Sequence, residues 1–147
     1  MPEKMSVSVP QLALLAASAW KDYELIDSGA GTKLERFGAY TFVRPEHQAV
    51  WQPALDKTQW EAAHAVFQAS SGDETGGKWI VRKHVPETWE MHYRALRFSA
   101  HFTSSRHLGV FPECAAHWDW AAGLIRQRHA NHREHGERGE KQGVPGS

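Results

Sequence analysis

The stretch YELIDSGAGTKLERFGAYTFV, residues 23–43, decides the fold. Tyr23, Leu25 and Ile26 have strand character, and the run Asp27, Ser28, Gly29, Ala30, Gly31 brings the small and polar residues that end a strand in a turn. Residues 33–37 read as a second strand. Gly38 and Ala39 form a two-residue connection with glycine first, as a type II′ hairpin prefers, and Tyr40, Thr41, Phe42 and Val43 make a third strand ended by Arg44 and Pro45. Three strands joined by tight turns form an antiparallel meander, which needs a second layer to cover its apolar face.

Towards the amino terminus, residues 10–20 are rich in Leu and Ala and open with Pro10, so a short helix is expected within a helical or irregular segment over residues 1–22. Towards the carboxyl terminus, Asp56 or Thr58 can cap a middle helix, with Gln59 or Glu61 three positions on. Trp60, His64 and Phe67 recur at helical spacing and carry that helix to about Ser70. Residues 71–77 hold three glycines and read as a mobile loop. Trp79, Ile80 and Val81 resume strand character, and residues 96–102 form another strand. Pro112 opens a C-terminal helix whose inward face would be Phe111, Ala115, Trp118, Ala122 and Ile125. Beyond Arg126 the chain is almost wholly polar, and disorder is expected from about Asn131 within a tail at 129–147. The fold class is α+β, with one domain over residues 23–128.

The 147 residues carry 17 basic and 17 acidic side chains, so no bulk field draws the chain to nucleic acid or to an acidic membrane. Any such contact must be local. Cys114 is the sole cysteine, which excludes an internal disulfide and fits a reducing compartment. The apolar run at 12–19 is short and Glu3 cancels Lys4, so an export signal is not expected, nor is a bilayer-spanning segment. The expected location is cytoplasmic.

Two blocks carry a resemblance. YELIDSGAGTKLERFGAYTFVRPEHQAVW, residues 23–51, resembles the opening of a bacterial class I S-adenosylmethionine-dependent methyltransferase family, related to enzymes that methylate carbon 5 of a cytosine in large-subunit ribosomal RNA. HLGVFPECAAHWDW, residues 107–120, resembles the segment that leads into that family's cofactor-binding domain, with Cys114 where relatives have Gln. The resemblance implies an accessory domain on the amino-terminal side of a doubly wound catalytic domain. It implies that Gly109, Phe111, Pro112, Glu113, His117 and Asp119 edge the S-adenosylmethionine pocket. It also implies that a chain lacking the catalytic domain has no catalytic residue, does not bind the cofactor tightly and is inactive alone. The expected partners are the missing catalytic domain and RNA. A natural truncation, a shifted reading frame and a cut piece compete as explanations, and the polar stretch after Ile125, where relatives turn apolar, favours the shifted frame. A stand-alone RNA- or protein-binding module and a non-functional remnant are the alternative readings.

Residue chemistry adds further candidates. Gly29, Ala30 and Gly31 hold a Gly-X-Gly, but it joins two short strands and reads as a hairpin turn. At Pro112 a helix amino terminus would present free N–H groups, and Gly109 lets backbone approach a ligand closely. His107, Cys114 and His117 are metal-capable, as are His129, His132 and His135, yet a structural zinc site needs a fourth ligand and none is evident. Cys114 reads as an inert thiol rather than a nucleophile. Arg36, Arg44, Arg82, Lys83, Arg94, Arg97 and Arg106, interleaved with Phe37, Tyr40, Trp79, Tyr93 and Phe98, form the candidate single-stranded RNA surface.

Overall fold

Strand-forming residues and tight turns along residues 23–45 build the first three strands of the central sheet. The computed structural model describes residues 14–70 and 73–140, with side chains at 14–70 and 76–130. Strands β1 (Tyr23–Gly29), β2 (Thr32–Phe37) and β3 (Tyr40–Pro45) pair antiparallel in sequence order, as the meander requires. Gly38 sits at φ 63 while Ala39 stays at negative φ, the pattern of a type II′ connection. β1 runs on through Asp27 and Ser28, past its expected end, because a bulge between Leu25 and Asp27 restores its register with β2.

Asp56 does cap a helix, accepting from the Gln59 N–H at 3.2 Å, but α1 spans only Lys57–Glu61. The expected continuation through Phe67 to Ser70 is corrected: it is strand β4 (Ala65–Ser70), paired parallel to β3. Five helical residues are too few to be stable by themselves, whereas Ala65 and Phe67 gain full burial by joining the sheet. His64 makes the changeover. Its backbone N–H donates to the Thr41 carbonyl at 2.8 Å, and its Nδ1 accepts from the Thr41 N–H at 3.1 Å.

The expected loop at 71–77 is corrected in part, because β5 (Asp73–Val81) begins inside it and pairs antiparallel with β4. Residues 71–72 lie outside the described residues. The sheet therefore has the order β1-β2-β3-β4-β5, mixed rather than purely antiparallel. A separate hairpin pairs β6 (Thr88–Tyr93), which the sequence reading missed, with β7 (Leu96–His101), which it expected.

The larger sheet is covered on both faces. On one, Leu34, Val43 and Ala63 are buried with Ile26, Leu55, Trp60 and Val66 packed against them. Asp27 fastens this layer, accepting from the N–H groups of Leu55 at 2.9 Å, Ser28 at 2.8 Å and Ala54 at 3.3 Å and from the Trp60 indole at 3.1 Å. On the other face the hairpin supplies Trp89, Met91, Tyr93 and Ala100, all buried. Phe42 stacks on Trp89 with centroids 5.5 Å apart and meets Phe37, Trp79 and Phe102 edge-on.

Residues 14–20 form no helix, contrary to expectation, and residues 10–13 lie outside the described residues. The local preference of Leu and Ala is overridden by Trp20, whose ring lies 4.7 Å from Tyr93 and 6.0 Å from Tyr23. A 3₁₀ turn, Pro112–Cys114, leads into α2 (Ala115–Glu140). α2 is described through Glu140. Residues 141–147 lie outside the described residues. The face expected to be buried is covered unevenly: Ala115 is buried, Trp118 and Ala122 are half-buried, and Phe111 and Ile125 are exposed. The chain divides into two compact units, one over Ala17–Ala115 holding both sheets and one containing α2 from Ala116. Among the described residues no helix is long and apolar enough to cross a membrane.

Candidate functional site

Strand alternation places Lys33, Glu35 and Phe37 of β2 on the same face as Arg44, Phe42 and Tyr40 of β3. Glu35 is 0% exposed and Arg44 6%, so both charges must be met inside the protein. They meet each other: Arg44 Nε lies 2.7 Å from Glu35 Oε2 and Nη2 lies 2.8 Å from Oε1. The Tyr23 hydroxyl donates to Glu35 Oε1 at 2.9 Å. Lys33 Nζ stands 3.5 Å from Glu35 and 3.5 Å from Glu46. Burial, and then the charge of Glu35, push the Tyr23 phenol well above its usual range, so it stays a donor at neutral pH.

Arg44 also ties the sheet to the residue just before the segment that carries the resemblance. Its Nη1 donates to the Arg106 carbonyl at 3.1 Å, a contact between residues 62 positions apart. Thr103 Oγ1 donates to the His107 carbonyl at 2.7 Å, and the Trp20 indole donates to the Pro112 carbonyl at 2.9 Å. Leu108 is fully buried, and its carbonyl accepts from the His101 N–H at 3.2 Å. Gly109 adopts φ 81, and a Cβ there would fall 2.9 Å from the His101 ring. Its lack of a side chain therefore serves this packing against His101.

The result is a cavity of about 150 Å³, walled by Lys33, Arg44 and Glu46 on one side and by Arg106, His107, Phe111, Pro112 and Glu113 on the other. Of the six residues singled out for the cofactor edge, Phe111, Pro112 and Glu113 line this cavity, and Gly109 shapes the backbone just before them. His117 and Asp119 belong to α2 and are not part of the lining. The Cys114 thiol is half-buried, and the Cys114 N–H closes the 3₁₀ turn on the Phe111 carbonyl at 3.0 Å.

His107 stacks obliquely on Phe111 with centroids 4.8 Å apart, and its Nδ1 is buried without a partner. Burial first, then the nearby Arg44 and Arg106 charges, hold its pKa below the ordinary histidine value. Among the described residues the Arg106 and Glu113 side chains have no ion-pair partner. No cluster of three or more His, Cys, Asp or Glu side chains capable of holding a metal occurs among the described residues.

The residues of the candidate RNA surface are largely committed elsewhere. Arg44 is buried on Glu35, Arg36 is bonded to Glu24 and to the carbonyls of Gly38 and Lys21, and Arg97 pairs with Glu90 at 2.7 Å. Phe37 and Tyr93 are core residues. Sequence reasoning missed Glu35, Lys33 and the clamp through Arg44. The available signal was the alternation itself, which sets Lys33, Glu35 and Arg44 on the face that carries Phe37 and Phe42.

No protein-family model matches the chain, and no curated protein matches it. Among solved structures, it is similar to the crystal structure of the SAM-dependent methyltransferase from Agrobacterium tumefaciens, with 37% sequence identity and a TM-score of 0.70. The match covers 85% of this chain and 39% of that one, so this chain spans well under half the length of that methyltransferase. Identity at this level extends beyond shared architecture and supports a chain related to SAM-dependent methyltransferases.

Proposed function

We propose that this chain is the accessory, amino-terminal portion of a SAM-dependent methyltransferase, and that residues 109–113 form one edge of the methyl-donor pocket. The observation that carries this reading is the cavity edged by Phe111, Pro112 and Glu113, within the motif whose resemblance assigns it to the donor site. The Trp20 indole holds Pro112, and bonds from Arg44 to Arg106 and from Thr103 to His107 fix the residues leading into it, which supports a preorganised edge.

The proposed partner is a catalytic domain that holds most of the donor. The similar methyltransferase is much longer than this chain, and α2 leaves Trp120 and Ile125 each 58% exposed, as a face covered by another domain would be. On this reading Gly109, Phe111, Pro112, Glu113, His117 and Asp119 contribute to the donor site only in the assembled enzyme. The chain alone transfers no methyl group. By resemblance, the proposed acceptor is carbon 5 of a cytosine in large-subunit ribosomal RNA, in the cytoplasm.

Calorimetric titration of the purified chain with S-adenosylmethionine and with short ribosomal RNA fragments tests this. The expected result is no tight donor binding and no turnover. RNA affinity that weakens steeply with salt, in a chain indifferent to the donor, would instead favour a stand-alone RNA-binding module.

A further inference from the structure

The cavity beside Arg106 holds hydrogen-bond donors that the fold does not consume. Arg44 has five N–H donors, and its bonds to Glu35 and to the Arg106 carbonyl use three of them. One N–H on each terminal nitrogen is left, on a residue that is only 6% exposed and lines the cavity. Arg106 adds a guanidinium with no ion-pair partner among the described residues, and Lys33 adds an ammonium shared between Glu35 and Glu46. Glu46 and Glu113 line the same cavity, Glu46 held by Lys33 and Glu113 exposed, so what the wall offers an anion is spare N–H donors rather than a surplus of charge. His107 senses the balance: Arg44, Arg106 and Lys33 all disfavour its protonation, and Glu113 is the one carboxylate that opposes them.

We infer that this cavity is a binding site for an anionic group, a carboxylate or a phosphate, gripped by Arg106, Lys33 and the spare N–H groups of Arg44. A volume of about 150 Å³ accepts such a group with a few waters. Planar guanidinium donors suit paired oxygens, and a nearly buried arginine already held on Glu35 loses little freedom in binding. The inference stands on this geometry and does not rest on the methyltransferase reading.

The test follows the side-chain N–H signals of Arg106 and Arg44 by NMR while the full chain is titrated with sodium phosphate or sodium acetate against chloride at equal ionic strength. A saturable shift of these signals is expected, with affinity reduced roughly tenfold or more in Arg106→Gln, the loss of a charge-assisted hydrogen bond. Arg106→Lys should keep part of that affinity, and an unchanged backbone spectrum in both variants shows that they fold. Displacement of phosphate by L-methionine identifies a ligand carboxylate as the source, and displacement by a short RNA identifies a backbone phosphate. Phosphate that neither displaces marks a site for the free anion. A shift that never saturates, or one equally strong in Arg106→Gln, overturns the site.

Discussion

Glu35 and Arg44 form an ion pair taken out of water, and such a pair behaves asymmetrically. Making it contributes little net stability, but removing one partner strands the other charge in the interior. Glu35→Gln should therefore lower unfolding stability by about 3–5 kcal/mol, read from urea midpoints at constant slope. A loss within ~0.5 kcal/mol would mean that the site is as solvated as an ordinary surface position. Two histidines add a pH dependence. Burial and then Lys83 hold the His64 pKa below its ordinary value, and protonation would remove the acceptor that Nδ1 offers to the Thr41 N–H; His107 is depressed in the same direction. Because the folded values are lowered, the unfolded chain binds more protons just below about pH 6.5, so stability is full above that point and is lost as pH falls through the window beneath it. Urea midpoints at pH 7.5 and 5.5 should differ, and His64→Gln should narrow the difference; an undiminished gap in the variant rules out His64 as a source. At this scale the sequence was hard to read. A charged residue in a strand is ordinarily solvated, and nothing local to Glu35 announces that Arg44 and Tyr23 converge on it.

The elements were legible wherever short-range chemistry decides them. The meander followed from strand-type residues and turn chemistry, and the Asp56 cap followed from a side chain that bonds three residues away. The reading went astray where long-range pairing wins. Trp60, His64 and Phe67 fit a helical period, yet Ala65 and Val66 pair with Phe42 and Val43 of β3, a contact that spacing alone does not reveal. β6 carries the alternation of a half-buried strand, Trp89, Met91 and Tyr93 against Glu90 and His92, and was missed because the turn at Arg94 and Ala95 has no glycine, proline or asparagine to mark a hairpin. For the segment that shapes the site, the telling position is Gly109. An alanine there adopts positive φ at a cost of about 1–3 kcal/mol and also drives its Cβ into the His101 ring. Gly109→Ala should destabilise the chain, and the same change made on a His101→Ala background should cost less, because the collision is gone and only the backbone strain remains. Equal costs in both backgrounds would show that His101 does not constrain this turn. Of the residues read as cofactor-edge candidates, Phe111, Pro112 and Glu113 share one cavity, whereas His117 and Asp119 sit on a helix whose placement no local pattern encodes.

At the scale of the molecule, both faces of the central sheet are covered within Ala17–Ala115, by the α1 layer on one side and the aromatic hairpin on the other. That unit has a core of its own. Among the described residues α2 carries exposed apolar side chains, and within Ala17–Ala115 the cavity edge carries Arg106 and Glu113 without ion-pair partners. The α+β class was readable from the order of strand and helix signals, but the parallel β3–β4 pairing was not, since it depends on contacts beyond any local window. The central claim is that donor binding belongs to the assembled enzyme and that this chain supplies one wall. The most direct measurement puts this chain in place of the matching stretch of the similar methyltransferase and titrates the joined protein with S-adenosylmethionine. Donor binding by the joined protein is expected, weakened roughly tenfold or more by Phe111→Ala with Glu113→Ala, while this chain alone stays silent. A folded joined protein that binds no donor, or stoichiometric capture and turnover by this chain alone, would contradict the account.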